Sequence, residues 1–433
     1  MQHRTIILSL VLSILTMWLL IPPVVQAGEE VDLVLWINPW QQKAIEGIKT
    51  VAALFAEKHP EVGSVTVTTV GQNELAERLM MGTISGTPPD AVAMPAPVIQ
   101  YALAELIQPI DTYLDKSEHL SSENYPPLLI DSFTAGGRQY GIPALEVGPG
   151  LVLIYSRELF AEAGLSDRGP SSLEELYQMH RKLTVEKPDG SGLDQVGINP
   201  TDAMGGTYFP TIWSTVFDVQ WYDTEQDTLD LMAFAEAVEY IKRIYDTPGY
   251  ELITGAGIGG WLGGLTSRRL AMQINGYWIP GGLKGHGLES EFGYTWMPSV
   301  LGDTATAILP WGLCIPVDVP RPDLSFALIE FFTSAEAAQI LFDAAGWLNG
   351  NLSAIQSLDI SALPIVAPIV AMYEEATRLN APPPIPMLET IRREINNELK
   401  AVWRTEQAPN VVLENLERKL QLEVNQALGV SEQ

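Results

Sequence analysis

Cysteine is nearly absent. Among 433 residues there is only Cys314, so no disulfide can form within the chain and no cysteine near the N-terminus can carry a lipid anchor. Histidine is scarce as well, five residues scattered singly, which leaves little from which to build a metal cluster; His180 falls inside a helical stretch. Basic residues are outnumbered 25 to 53, for a formal net charge of −28. Such a surface argues against nucleic acid or an anionic membrane as a partner. Beyond the N-terminus no apolar run is long enough to span a bilayer. The motifs GxSxG, HExxH and the phosphate-binding P-loop are missing too. "GAGIGG" places Gly255, Gly257 and Gly260 in dinucleotide spacing, but it does not open the first βαβ unit and no acidic residue follows about 20 positions on. A loop before Trp261 is the better reading.

What is present begins with "MQHRTIILSLVLSILTMWLLIPPVVQA". Arg4, the apolar run Ile6 to Ile21 and the small residues Val25 and Ala27 form the three parts of an export signal. Cleavage after Ala27 and a periplasmic location are expected, with an uncleaved anchor as the alternative. From Val31 strand and helix alternate. "VDLVLWI" reads as a buried strand, and Ile45, Ile48, Val51 and Phe55 then recur at helical spacing. "SVTVTTV" is a second strand, "ELAERLMMGTISG" a helix and "PPDAVAM" a third strand, which together make half of a doubly wound sheet. "YGIPALEVGPGLVLIYS" is a long extended segment punctuated by Gly and Pro, as a crossing between two domains would be. "PSSLEELYQMHRKLT" opens a helix with Ser171 and Glu174 in capping-box spacing. "APPPIPM" precedes a final helical region in which Ile391, Ile395 and Leu399 share one apolar face.

Several of these stretches, in order, match one family. "PPDAVAM", "ALAELIQPIDTYL", "YGIPALE", "LIYSRELFAEAGL" with "SLEELYQMHRKLT", "LAMQINGYW", "ALIEFFTSAEAAQILFDAAGWL" and "LENLERKLQLEVNQAL" cover nearly all of the mature chain. The sequence resembles the extracellular solute-binding proteins of bacterial ABC importers, in particular the sugar-binding, maltose-binding-protein-like branch. The resemblance implies a two-lobe α/β fold of the periplasmic-binding-protein type II, each lobe a doubly wound sheet flanked by helices, with a ligand cleft between the lobes. Three crossings are expected near 145–150, 302–308 and 346–352. They divide the chain into a signal (1–27), a first lobe (28–146 plus 307–347) and a second lobe (147–306 plus 348–433). A monomer that binds a small molecule, a carbohydrate by this resemblance, without cofactor, metal or catalysis, and that docks on ABC permease subunits, is what the family implies.

A sugar offers an apolar C–H face and a hydroxyl rim, so its site needs flat aromatics and fixed polar groups. Matching "INGYW" to the family's strand-end aromatic makes Trp278, with Tyr277 beside it, the first choice for stacking; a core tryptophan is the alternative. Glu146 follows "GIPA" where the family's binding loop places an acidic or polar side chain, and a solvated hinge carboxylate is its alternative. Tyr208 loosely matches a second stacking aromatic, with packing inside a helix equally open. Trp36, Asn38 and Trp40 stand at the end of the first strand, Trp311 and Gly312 follow the second crossing, and Trp347 precedes the third. About half of these tryptophans are expected at ligand and the rest in the core. Pro95, Ala96, Pro97 and Val98 depart from the polar or aromatic loop of many relatives, which leaves a modified or less polar ligand open. Non-sugar polar solutes (a polyol, a sugar phosphate, a polyamine), a secreted glycan hydrolase using two of the many carboxylates, and a sensor subunit kept at the membrane by its anchor are the rival readings.

Overall fold

The computed structural model describes residues 30–117, 119–405 and 407–429; the expected signal segment lies outside them. The chain opens with β1 (Val31–Ile37), whose Leu33, Leu35 and Ile37 are buried on one face, as period-2 alternation requires. Helix α1 (Gln42–Lys58) buries Ala44, Ile48, Val51, Ala52 and Phe55, positions that recur every three or four residues and so form one stripe. β2 (Val62–Thr69), β3 (Ala91–Pro95) and β4 (Gly141–Leu145) complete the first pass through the first lobe.

The second lobe follows: β5 (Val152–Ser156), α2 (Leu173–Leu183), β6 (Val185–Glu186), β7 (Leu193–Ile198), α3 (Phe209–Phe217), β8 (Leu270–Asn275) and β9 (Phe292–Thr295). The cap of α2 sits one residue later than the sequence spacing suggests. Ser172 Oγ accepts from the Glu175 N–H, and Glu175 turns back to accept from both the N–H and the hydroxyl of Ser171. The chain then runs through β10 (Ala305–Ala307) to β11 (Trp311–Cys314) and α4 (Ala335–Ala345), and returns through β12 (Arg378–Asn380) to α5 (Leu388–Arg404) and α6 (Pro409–Ala427).

Two five-stranded sheets result, ordered β2-β1-β3-β11-β4 and β9-β5-β8-β7-β6. Both are mixed. β11 runs antiparallel to β3 and β4, and β5 antiparallel to β8 and β9, because these strands enter from the other lobe. Helices α1 and α4 cover the first sheet side by side, with the Gly47 backbone so near Ala344 that a Cβ there would sit 2.8 Å from the alanine methyl.

The crossings form one small hydrogen-bonded ladder. β10 pairs parallel with β12, Gly150 N–H donates to Ala307 O at 2.7 Å, Ile308 N–H donates to Asn380 O at 2.7 Å, and Thr306 Oγ1 lies between the N–H and carbonyl of Leu151. The expected third crossing takes no part in this ladder. Residues 346–352 stay against the first lobe, where Gly350 N–H donates to Pro143 O, Ser353 bonds Asn124, and the helix Leu352–Gln356 packs on α4. Gly346, at φ +71°, ends α4 in a left-handed cap and turns the chain back instead of across. Residues 348–357, expected in the second lobe, therefore lie on the first.

At the first crossing Gly148 has no room for a side chain, since a Cβ would stand 2.7 Å from the Tyr277 ring. Gly148→Ala is expected to cost about 1–3 kcal/mol, the usual range for overpacking a filled interior. Denaturant unfolding checks this; an unchanged midpoint would show that the ring can move aside.

Candidate functional site

In open α/β sheets ligands lie beyond the carboxyl ends of the strands, and the loops that leave those ends converge here from both lobes. They enclose a cleft of about 540 Å³ lined by Asn38, Trp40, Gln41, Gln72, Glu146, Leu309 and Trp311 from the first lobe and the crossings, and by Thr207, Tyr208, Trp261, Leu262 and Trp278 from the second. Six of the residues expected from sequence thus meet at one place: Asn38, Trp40, Glu146, Tyr208, Trp278 and Trp311.

The first-lobe wall is an aromatic cluster. Trp40 stands edge-on to Trp311 (4.8 Å between centroids) and to Trp347 (4.9 Å). Trp311 reaches the cleft because β11 runs antiparallel, which brings its first residue to the same end of the sheet as the last residues of β1. Trp347 is fully buried behind Trp40 and does not line the cleft. On the opposite wall Trp278 caps the short helix Ile279–Lys284 and remains 9% exposed. Gly276 allows this, because a Cβ there would fall within 2.1 Å of the Trp278 indole.

Four expected residues sit elsewhere or behind. Trp36 points to the other face of the first sheet, among Val70, Leu75 and Leu79, because its parity in β1 is opposite to that of Leu33 and Leu35. Gly312 lies within β11 and leaves space for the Phe133 ring. Tyr277 is wholly buried, and its hydroxyl accepts from the Leu348 N–H at 3.1 Å. Trp347, as noted, supports Trp40.

Glu146 occupies the start of the first crossing with φ +47°, a left-handed backbone that a non-glycine residue adopts only when its surroundings hold it there. Its carboxyl is buried among aromatics, which raises its pKa from 4.5 to about 8, while a hydrogen bond from the Trp40 side chain pulls the other way. At neutral pH this group is protonated and can donate as well as accept.

Trp261, 40% exposed, was not among the expected site residues. It stands 6.2 Å from Trp278 on the glycine loop, where Gly257 and Gly260 take positive φ. The loop is tied down by β8: Asn275 Nδ2 donates to Trp261 O, and Gln273 Nε2 to Gly260 O. The signal was Gln273 and Asn275 themselves, two polar residues on one face of an otherwise apolar strand. Thr207 and Trp261 also line a second chamber of about 330 Å³, together with Asp202, Tyr250, Asn396, Lys400 and Trp403.

A cleft of flat aromatics, amides and one buried carboxyl between two α/β lobes defines a two-lobe binding protein. The chain belongs to the bacterial extracellular solute-binding proteins, whose family model matches residues 50–368; these are ABC-transporter solute-binding proteins and not enzymes. No curated protein matches the sequence. Among solved structures, CpMnBP1 with mannotriose bound is 20% identical, with a TM-score of 0.80 over 90% of this chain and 100% of that one. The maltose/maltodextrin-binding domain MalE of Bdellovibrio bacteriovorus bound to maltotriose is 19% identical, with a TM-score of 0.73 over 91% and 100%. The substrate-binding protein Lmo0181 of Listeria monocytogenes in complex with cycloalternan is 18% identical, with a TM-score of 0.73 over 93% and 100%. At these identities the likeness carries the fold.

Two outcomes are expected from this geometry. Because burial raises the pKa of Glu146, its protonated form contributes stability that is fully present below pH 4.5 and is lost as pH rises through about 8. Glu146→Gln, which cannot ionise, should therefore gain on wild type as pH rises. A tenfold change in proton affinity is about 1.4 kcal/mol, so the gain by pH 8 is expected to be a few kcal/mol. Parallel melting curves from pH 4.5 to 8.5 measure it, and curves that never diverge would place the carboxyl in water. Tyr277→Phe leaves the Leu348 N–H without its acceptor and should cost about 1–3 kcal/mol with little change in ligand affinity; a large affinity loss would put Tyr277 at the ligand.

Proposed function

We propose that this protein captures an oligosaccharide outside the cytoplasmic membrane and delivers it to the transmembrane subunits of an ABC importer, after export and cleavage of its signal behind Ala27. The observation that supports a sugar is that indoles line the cleft from both walls, Trp40 and Trp311 on one and Trp261 and Trp278 on the other, with amides and one carboxyl from Asn38, Gln41, Gln72 and Glu146. Indole faces match the C–H face of a pyranose and these polar groups match its hydroxyls. More than one sugar unit is favoured because a second chamber, sharing Thr207 and Trp261 with the cleft, lies beside it. Bound mannotriose and maltotriose in structures of the same fold agree with that length.

Delivery follows from lobe movement. A ligand that touches both walls has higher affinity for the closed arrangement and shifts the population toward it. The crossing ladder is the flexing element, and the closed form is what the permease receives.

The test is a thermal-shift screen of the purified protein against mono-, di- and oligosaccharides, polyols, sugar phosphates and polyamines. A ligand bound only by the native state adds about 2.7 kcal/mol at a hundredfold excess over Kd. Saturable shifts from oligosaccharides, with no product formed, are expected; shifts confined to non-sugars would discard the carbohydrate reading. Trp278→Ala should weaken the bound oligosaccharide about tenfold, or ~1.4 kcal/mol. Calorimetric titration checks this, and unchanged affinity would return Trp278 to a packing role.

A further inference from the structure

One buried cation in this protein lacks its full set of acceptors. Arg392 falls on the apolar face of α5, among Leu388, Ile391 and Ile395, with a side chain only 3% exposed. Its guanidinium lies 4.4 Å from the centre of the Tyr208 ring, one of the cleft walls. Burial pushes the Tyr101 phenol, on the first-lobe helix Ile99–Leu103, well up, and the Arg392 charge is a minor opposing pull. Glu389 takes Nη2, and the Tyr208 hydroxyl interacts with the guanidinium. Among the described residues, Nε and Nη1 are buried and find no hydrogen-bond partner.

A guanidinium only donates. Buried donors left unmet are costly, more so on a charged group, and the acceptor that best offsets this is an anionic oxygen, through a charge-assisted bond. Arg392 is also not alone. At four-residue spacing on the same helix follow Asn396, whose Nδ2 is held by Gly206 O, and the exposed Lys400, which bonds Asn397; both line the second chamber. Eight residues of helix separate Arg392 from Lys400 by about 12 Å. In a chain of net charge −28, Lys400 lines the second chamber, while Arg392 lies behind Tyr208, a wall of the cleft. Glu146 and Glu389, two of the carboxyls nearby, offer an anion little repulsion. Glu146 is held protonated by burial, Asp202 accepts from Gly260 N–H and Gln273 Nε2, and Glu389 is paired with Arg392.

We propose that the oligosaccharide is acidic, a chain of uronate-type sugars whose carboxylates are received by Arg392 beneath Tyr208 and by Lys400 in the second chamber. The inference rests on the carbohydrate reading above and adds the charge of the ligand. The unmet donors are sealed in this arrangement, so a carboxylate reaches them from the cleft as the Tyr208 ring turns aside.

The experiment is calorimetric titration of the purified protein with oligomers of galacturonate, mannuronate and glucuronate, with the methyl esters of the same oligomers, and with neutral manno- and malto-oligosaccharides. Esterification keeps the shape and removes the charge. At least one uronate oligomer should bind, and its ester should bind about tenfold or more weaker. Arg392→Gln should abolish the difference between acid and ester. Lys400→Gln, at an exposed position, should weaken acidic oligomers about threefold with a flatter salt dependence. Should Arg392→Gln fail to fold, the comparison of acid with ester on the wild type decides alone. Equal binding of acid and ester, or binding of neutral chains only, overturns the acidic ligand and leaves the carbohydrate reading standing. An acid preference that survives in Arg392→Gln overturns the role of that residue. Silence toward every saccharide, acidic and neutral, sinks both readings together.

Discussion

The arrangement depends on the short ladder in which the three crossings hydrogen-bond to one another. Thr306 satisfies both backbone groups of Leu151, Gly150 and Ile308 bond the strands on either side, and Asn380 reaches on to the hydroxyls of Ser214 and Thr215 in α3. Two paired strands, braced by residues 149–151, make a ribbon so narrow that it bends at little cost. Everything that meets in the cleft is fixed in position by rigid sheets on either side and free to approach only along the direction this ladder permits.

Around the hinge the aromatic residues divide their labour by depth. Trp40, Trp278 and Trp261 present ring surface to the cleft, while Trp347 and Tyr277 stand behind them and hold the walls in place. Tyr277 packs against Gly148 of the first crossing and accepts from Leu348 of the first lobe, so one side chain of the second lobe reads the position of the other. Its neighbour Trp278, with its ring 5.5 Å from that of Tyr277, is thereby held in place on the cleft wall. A supporting ring that is wholly buried costs nothing in solvation and leaves the exposed ring free to be chosen for its partner.

Much of this was legible in sequence, and the exceptions have particular causes. Period-2 and period-3.6 patterns placed β1, α1, β2 and β3, and the strand-end rule brought Asn38, Trp40 and Trp278 to one cleft. Trp36 was misjudged because being near a strand end does not fix the face, which parity does. The third crossing was set too early because the glycines of "GWLNGN" look like a hinge, whereas Gly346 is a helix cap; the true crossing, "RLN" at 378–380, is three residues long and carries no pattern. Arg392 was invisible for a related reason. Its neighbours Ile391 and Ile395 define an apolar face, and a charged residue between them reads as the edge of the stripe until the packing of Tyr208 against it is known.

The strand order of the first sheet has a kinetic side. β11 lies between β3 and β4, so the sheet cannot be completed until residues 311–314 arrive, after the whole of the second sheet has been made. A chain emerging N-terminus first must hold β1 to β4 without their internal neighbour while the second lobe forms, and pairing across so long a separation is slow. The unfinished sheet exposes two strand edges during that interval, a condition that favours aggregation. Abundant negative charge gives such an intermediate the mutual repulsion that keeps copies apart until the late strand closes the gap.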